Sequence, residues 1–330
     1  MTTRPMDISP TPSARPRRWG LRIGIGLVVI IVGWYLVLGI GVYSGNWSGR
    51  RTVAVLRITP LPVAMVGWRP LSYADYLDQR TAVGHYTAYL KSTTAGVYQA
   101  PTNQDPAAAT LTKMVRLAVS ERTIRRLGVI LRPADVDQAY QAQLLQNGNV
   151  EQVKATIQQL YGWTPEAFKR NVIRPAVLRD KLQEKLSFDD QLSASAKAQA
   201  DRVLALVRQG QLSFNDLAKT YSDDVYGAAG GDLGFVSQGE QVKEIDEVVF
   251  NLEVNQVSDL IHTKYGFHII KPIERTTVDG REQVHLLQIT ILAPQVDAYL
   301  NTAVKSVGVQ VWAPRLRWDR DQGRAVSSQP

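Results

Sequence analysis

The chain has 330 residues, 45% of them hydrophobic, a net charge of +8 and no cysteine. That length suits about two domains of roughly 100–200 residues each, and the lack of cysteine excludes disulfides and thiol chemistry. The charge sits at the ends: residues 1–22 carry five Arg and one Asp and residues 313–330 four Arg and two Asp, leaving +2 between them. No dense basic patch interleaved with aromatics appears in the middle, which argues against nucleic acid as a partner.

Met1–Trp19 is rich in Pro, Thr and Arg, a composition that predicts disorder. Leu21–Tyr43 is apolar apart from Arg22 and long enough, at about 20 residues, to span a bilayer. A signal peptide would have a shorter apolar core and a small-residue cleavage site, which Ser44–Trp47 does not offer. Arg15, Arg17, Arg18 and Arg22 outweigh Arg50 and Arg51. A single-pass anchor in the cell membrane is expected, with the N-terminus cytoplasmic and the remaining domains extracytoplasmic.

Residues 51–190 read as a helical domain. Ser72 is placed to cap a helix beginning LSYADYL. Leu111, Met114, Val115, Ala118 and Val119 recur at helical spacing, and Gly128 ends that helix. Pro133 opens the next helix, Gln152–Tyr161 forms a third stopped by Gly162, and Thr164 caps a fourth that Pro175 kinks or splits. The pattern alone says helical domain and no more.

Residues 195–292 form a second unit. Ala196–Gln209 is helical, Ser213 caps the helix FNDLAKTY, and Ser222–Asp224 is a turn. Gly230-Gly231-Asp232-Leu233-Gly234 follows, a density of glycine that marks positive φ or close backbone approach. Lys243–Asn251 reads as a short helix, and Val257–Ile261 and Phe267–Pro272 as strands. After a polar turn over Thr276–Glu282 comes the β-branched run Val284–Leu292. Residues 293–330 are read as a helix, Gln295–Ser306, and a disordered tail from Arg315 to Pro330.

The GGDLG-F loop, the G-x-x-V-K…F helix ending at Phe250 and the closing Y-G-x-H-I-I stand in order at 214–270. This stretch resembles the parvulin (PpiC, rotamase) family of peptidyl-prolyl cis/trans isomerases. Val63–Leu186 more softly resembles the N-terminal chaperone region of SurA-, PrsA- and PpiD-type foldases, in which such helices cradle unfolded chains. The resemblance implies an α+β chain: a membrane helix, a helical chaperone domain and a parvulin-like antiparallel sheet with helices. It implies activity on unfolded or newly exported proline-containing polypeptides, without cofactor or metal. A non-enzymatic holdase is the alternative.

Carried over by position, Asp224 stands where the family has Cys or Asp, and Leu233, Thr263 and His268 match its leucine, threonine and second histidine. Phe250 closes the helix motif. Gln241 replaces the usual Met and Ile245 the usual Phe, which weakens the apolar cup for a proline ring. On the residues alone, His268 reads as a core histidine and Asp224 as a turn cap. His262 reads as a solvent-facing strand residue, and His85 has no assigned role. The family's first strand, which carries the first histidine, is missing: Ser187–Ser195 is polar and has no histidine. Val284–Leu292 is the candidate replacement beside Phe267–Lys271, which would bring His285 opposite His268 as a catalytic pair; otherwise it begins an unrelated strand. Facing the two histidines centres the loop between Thr276 and Thr277, whereas a tight Asp279-Gly280 turn separates them.

Overall fold

The computed structural model describes the backbone of residues 18–45, 47–93, 105–146 and 148–328, and the side chains of these from residue 29 onward. The disorder expected at the N-terminus falls almost wholly outside those residues. Helix α1, Arg18–Tyr43, has 26 residues. Its last turns bury Leu38 and Val42 in the protein core. Among the described residues no helix is long and apolar enough to cross a membrane, so the expected transmembrane helix is not a structural finding.

Next come α2 (Arg50–Ile58), a hairpin of β1 (Pro62–Val66) and β2 (Arg69–Ser72), then α3 (Tyr73–Thr93) and α4 (Pro106–Arg126). Ser72 Oγ accepts from the Asp75 amide at 3.2 Å, as expected of a cap. α5 (Pro133–Gln146) and α6 (Val150–Tyr161) follow, and Gly162 ends α6 in the left-handed region. Thr164 caps α7 (Pro165–Phe168). Pro175 does split the fourth helix: α7 passes through a π-helical turn, Lys169–Ile173, into α8 (Arg174–Phe188). The wider turn accommodates a residue that lacks an N–H and crowds the preceding carbonyl. Buried Glu121 of α4 ties these pieces together, binding Arg69 of β2 and Arg174 of α8. Burial alone would raise its pKa; the two guanidiniums overcome that and lower it.

α9 (Asp190–Gln209) starts six residues before Ala196, because Asp189 caps it by accepting from the amides of Gln191 and Leu192 at 3.1 Å. α10 (Phe214–Tyr221), β3 (Asp232–Ser237), α11 (Lys243–Val249), β4 (Ile261–Thr263), β5 (Gly266–Val278) and β6 (Arg281–Leu292) complete the second unit. The strand expected over Val257–Ile261 instead begins at Ile261.

The helix expected over Gln295–Ser306 is present, and the tail expected to be disordered from Arg315 is folded as far as Ser327. α12 (Val296–Ser306), β7 (Val309–Val311), β8 (Leu316–Asp319) and β9 (Arg324–Ser327) return to the first domain. β7 pairs with β1 in a β2-β1-β7 sheet, and β8 pairs with β9. Leu300, Val304, Leu316 and Ala325 join the core that holds Leu56, Leu111, Leu182 and Leu186. Apolar side chains at 300, 304 and 316 explain the folding, and the charges of Arg315–Arg324 lie around them. The second unit is thus inserted between α8 and α12 of the first.

Its sheet runs β3-β6-β5-β4, entirely antiparallel. β6 therefore fills the slot of the missing first strand, between β5 and β3. The turn is the tight one: Val278 pairs with Arg281, and Asp279 and Gly280 have φ of 49° and 75°, as a two-residue hairpin of this hand needs. That register places His268 opposite Thr290 and His285 opposite Glu274, which corrects the expected histidine pair. A bulge falls between Pro272 and Glu274, beside a residue with no amide hydrogen to give the ladder. One face of the sheet packs Phe267, Ile269, Leu287, Ile289 and Ile291 against α9 and α10. The other packs Ile270, Val284 and Leu286 against α11.

Candidate active site

Strand alternation puts His268, Thr290 and Gln288 on the α11 face with Ile270 and Leu286. These polar groups sit inside an apolar layer, and each is buried. Asp224 arrives from the turn after α10. That turn is clamped to β6: Asp223 N donates to Thr290 O at 2.8 Å, Ser222 Oγ accepts from Thr290 N at 2.9 Å, and Asp223 Oδ2 accepts from Leu292 N at 2.9 Å. Gly231 O accepts from Gln288 N at 2.8 Å. The turn and the glycine loop thus satisfy the end of β6 that β3 does not reach.

The Asp224 carboxylate is held from both sides. Its Oδ1 accepts from Ser222 Oγ at 3.1 Å, Tyr226 N at 3.1 Å and Gly227 N at 3.0 Å. Its Oδ2 accepts from Thr290 Oγ1 at 2.7 Å and Gln288 Nε2 at 3.1 Å. Thr290 has a single hydroxyl hydrogen, and Asp224 takes it. Thr290 Oγ1 is then an acceptor toward Gln288 Nε2 at 2.9 Å and toward His268 Nδ1 at 3.3 Å.

His268 Nδ1 is therefore the protonated nitrogen. Its Nε2 lies 2.9 Å from Thr263 Oγ1 and accepts the threonine's hydrogen, while Tyr265 N donates to the same oxygen at 3.1 Å. Burial pushes the His268 pKa down to about 4, against the opposing pull of the Asp224 carboxylate. The result is a neutral imidazole in a fixed tautomer, strung between two threonines and backed by a carboxylate.

The structure thus brings Asp224, Thr263 and His268 together. Leu233, Ile245 and Phe250 pack into the cluster on the same face, with Ile245 only 3% exposed. Gln241 lines a cavity of about 460 Å³ with Phe250, Gln238 and Lys243, beside α11. His285 is not brought to the site. It lies five residues from Thr290 along β6, about 17 Å at roughly 3.4 Å per residue, and on the opposite face. There its Nε2 is 2.7 Å from Asp232 Oδ1 and its ring 5.0 Å from that of Phe235. The Gly234 amide and then His285 lower the Asp232 pKa.

His262 is not solvent-facing: it stacks on Phe267 at 4.2 Å and meets Ser187 through Nε2 at 3.2 Å. His85 lines a cavity of about 360 Å³ with Asp78, Arg57 and Trp163. Thr290 and Gln288 escaped the sequence reading. Their signal was two polar residues at alternate positions inside the otherwise apolar Leu286–Leu292. Among the described residues no cluster of three or more His, Asp or Glu could hold a metal ion.

Known proteins resemble parts of this chain. Chaperone SurA of Burkholderia lata is 38% identical over 91 residues, 27% of this chain and 20% of that protein. Foldase protein PrsA of Geobacillus kaustophilus is 44% identical over 77 residues, 23% of this chain and 27% of that protein. The chain thus spans about a fifth to a quarter of the length of these curated relatives. Among solved structures, PrsA of Bacillus subtilis overlays 58% of this chain and 73% of its own, at 22% identity and a TM-score of 0.23. PrsA of Streptococcus pneumoniae covers 64% and 79%, at 20% identity and a TM-score of 0.26. Residues 181–274 match the rotamase family, the PPIC-type PPIASE domain; that span contains Asp224, Leu233, Thr263 and His268 and ends before β6.

Proposed function

We propose that the chain is a membrane-anchored extracytoplasmic foldase that isomerises X-Pro bonds in unfolded or newly exported polypeptides. The observation that carries this reading is the Asp224–Thr290–His268–Thr263 string, buried at its two threonines and histidine, with Asp224, Thr263 and His268 inside the rotamase match and Thr290 supplied by β6 beyond it, beside an apolar layer. Prolyl isomerisation forms no covalent bond; its barrier is the loss of amide resonance, about 18–20 kcal/mol. A site lowers that barrier by binding the twisted amide better than the planar one. Fixed, mostly neutral dipoles at a largely buried cluster suit that task, and a nucleophile is not needed. The names of the relatives, a chaperone and a foldase, support unfolded polypeptide as substrate.

A second reading is a holdase whose parvulin-like domain binds without catalysis, favoured by Gln241 and Ile245 in place of Met and Phe. Refolding of a protein whose slow phase is prolyl isomerisation separates the two. An enzyme speeds that phase when present at a small fraction of the substrate. A holdase slows or traps the substrate and acts only near equal amounts.

The anchor and location rest on Leu21–Tyr43 and the arginines before it, and on apolar side chains exposed along α1, such as Ile30 at 69% and Ile40 at 66%. Protease added to spheroplasts should digest the chain beyond Trp47, and protection of that region would overturn the orientation.

A further inference from the structure

We propose that Ser187, in the helical domain, is a positioning residue for the isomerase site, holding Thr263 so that its hydroxyl meets His268. The inference rests on the isomerase reading above. α8 has two working faces. Leu178, Leu182 and Leu186 are buried on one side, the last two within the helical-domain core. Asp180, Gln183 and Ser187, spaced three and four apart, share another face. That face grips the turn joining β4 to β5. Asp180 Oδ1 pairs with Lys264 Nζ at 2.6 Å, and Gln183 Nε2 donates to Lys264 O at 3.1 Å and Pro294 O at 3.3 Å. Gln183 Oε1 accepts from Val296 N at 3.1 Å.

Ser187 makes the contact nearest the site. It is fully buried, and its Oγ donates to Thr263 O at 2.7 Å. With its hydrogen spent there, the 3.2 Å approach to His262 Nε2 makes Ser187 Oγ an acceptor; Ser187 O, also 3.2 Å away, takes a share of the same N–H. From outside the sheet Gln183 thus holds the Lys264 carbonyl and Ser187 the carbonyl of Thr263. The side chain of that residue donates to His268 Nε2. Thr263 ends β4 at a turn only two residues long, Lys264 and Tyr265, so a rotated Thr263 peptide misaligns the hydroxyl it carries. The site therefore depends on a residue outside its own sheet, contributed by the end of α8, a helix that starts in the helical domain and runs into the rotamase match.

The test uses the full chain with Ser187→Ala, and Asp180→Ala as a control that loosens the same interface at an exposed ion pair. The chain has four histidines, so ring ¹⁵N spectra are simple to assign. In Ser187→Ala the His268 ring signals should move away from the pure Nδ1–H tautomer, and its pKa should rise, because a hydrogen bond to the neutral Nε2 is loosened. Loss of one neutral hydrogen bond predicts a fall in kcat/KM of about 3- to 10-fold, carried by kcat. Asp180→Ala should change neither. Unchanged His268 ring signals in Ser187→Ala overturn the proposal, as does an equal change in Asp180→Ala. A wild-type chain without isomerase activity would instead refute the enzymatic reading, and the ring signals would still decide the positioning role.

Discussion

Replacing Thr290 by Val tests the hydrogen-bond string at its centre. Thr290 is 2% exposed, and valine matches its shape, so no cavity arises and the loss is polar. Asp224 keeps four of its five donors. The lost bond, at 2.7 Å to a carboxylate, therefore costs near the lower end of about 1.5–3 kcal/mol for charge-assisted hydrogen bonds. His268 Nδ1–H loses its acceptor in a buried site, a penalty of about 1–3 kcal/mol if it stays. The ring can escape by moving its proton to Nε2 and donating to Thr263, at the cost of reversing that bond. The expected sum is a loss of about 2–4 kcal/mol together with a change of His268 tautomer. Urea unfolding followed by the His268 ring signal reads this domain alone, and the ring nitrogen shifts read the tautomer. A loss below about 0.5 kcal/mol with the Nδ1–H tautomer intact would show that Thr290 does not link the carboxylate to the imidazole.

Two glycines with similar φ should respond differently. A Cβ on Gly231, at φ +81°, would lie 2.2 Å from Gln288 O, so Gly231→Ala should unfold the isomerase unit. Gly280, at φ +75° with nothing within 4 Å, should cost about 1 kcal/mol as Ala, by thermal melts. His268 sets a pH dependence. The unfolded chain takes up a proton at 6.5 and the folded one near 4, so stability is full above pH 6.5 and falls as pH drops toward 4. At 1.36 kcal/mol per pH unit the loss is about 3 kcal/mol. His268→Gln should flatten that slope in denaturation at a series of pH values. Gln241→Met should raise kcat/KM about threefold or more by removing an amide beside the cup. Ile245→Phe should cost about 1–3 kcal/mol by overpacking a site already filled by Val236, Ile270 and Leu286. A Met variant no faster than the wild type would show that Gln241 does not limit the reaction.

Local signals were legible in the sequence. The caps at Ser72, Thr164 and Ser213, the stop at Gly162 and the break at Pro175 all act through neighbours a few residues away, and the structure shows each. That β6 completes the sheet was also readable, because an apolar β-branched run follows a strand across a polar turn. Its register was not. Placing His285 opposite His268 required a wide loop, and the Asp279-Gly280 turn was preferred because its positive φ values suit a two-residue hairpin. Thr290 was obscured for the same reason, since its role follows from that register. The folding of Arg315–Ser327 was hidden by charge, and only its packing against the first domain gives Leu316 and Ala325 a core to enter.

The most direct test follows cis/trans exchange of a short X-Pro peptide by NMR, without protease, in the presence of the full chain, Asp224→Ala or His285→Ala. The wild type should speed exchange, Asp224→Ala should lose most of that gain, and His285→Ala should keep it. No acceleration by the wild type, or equal losses in both variants, would contradict an isomerase site built on Asp224, Thr290, His268 and Thr263.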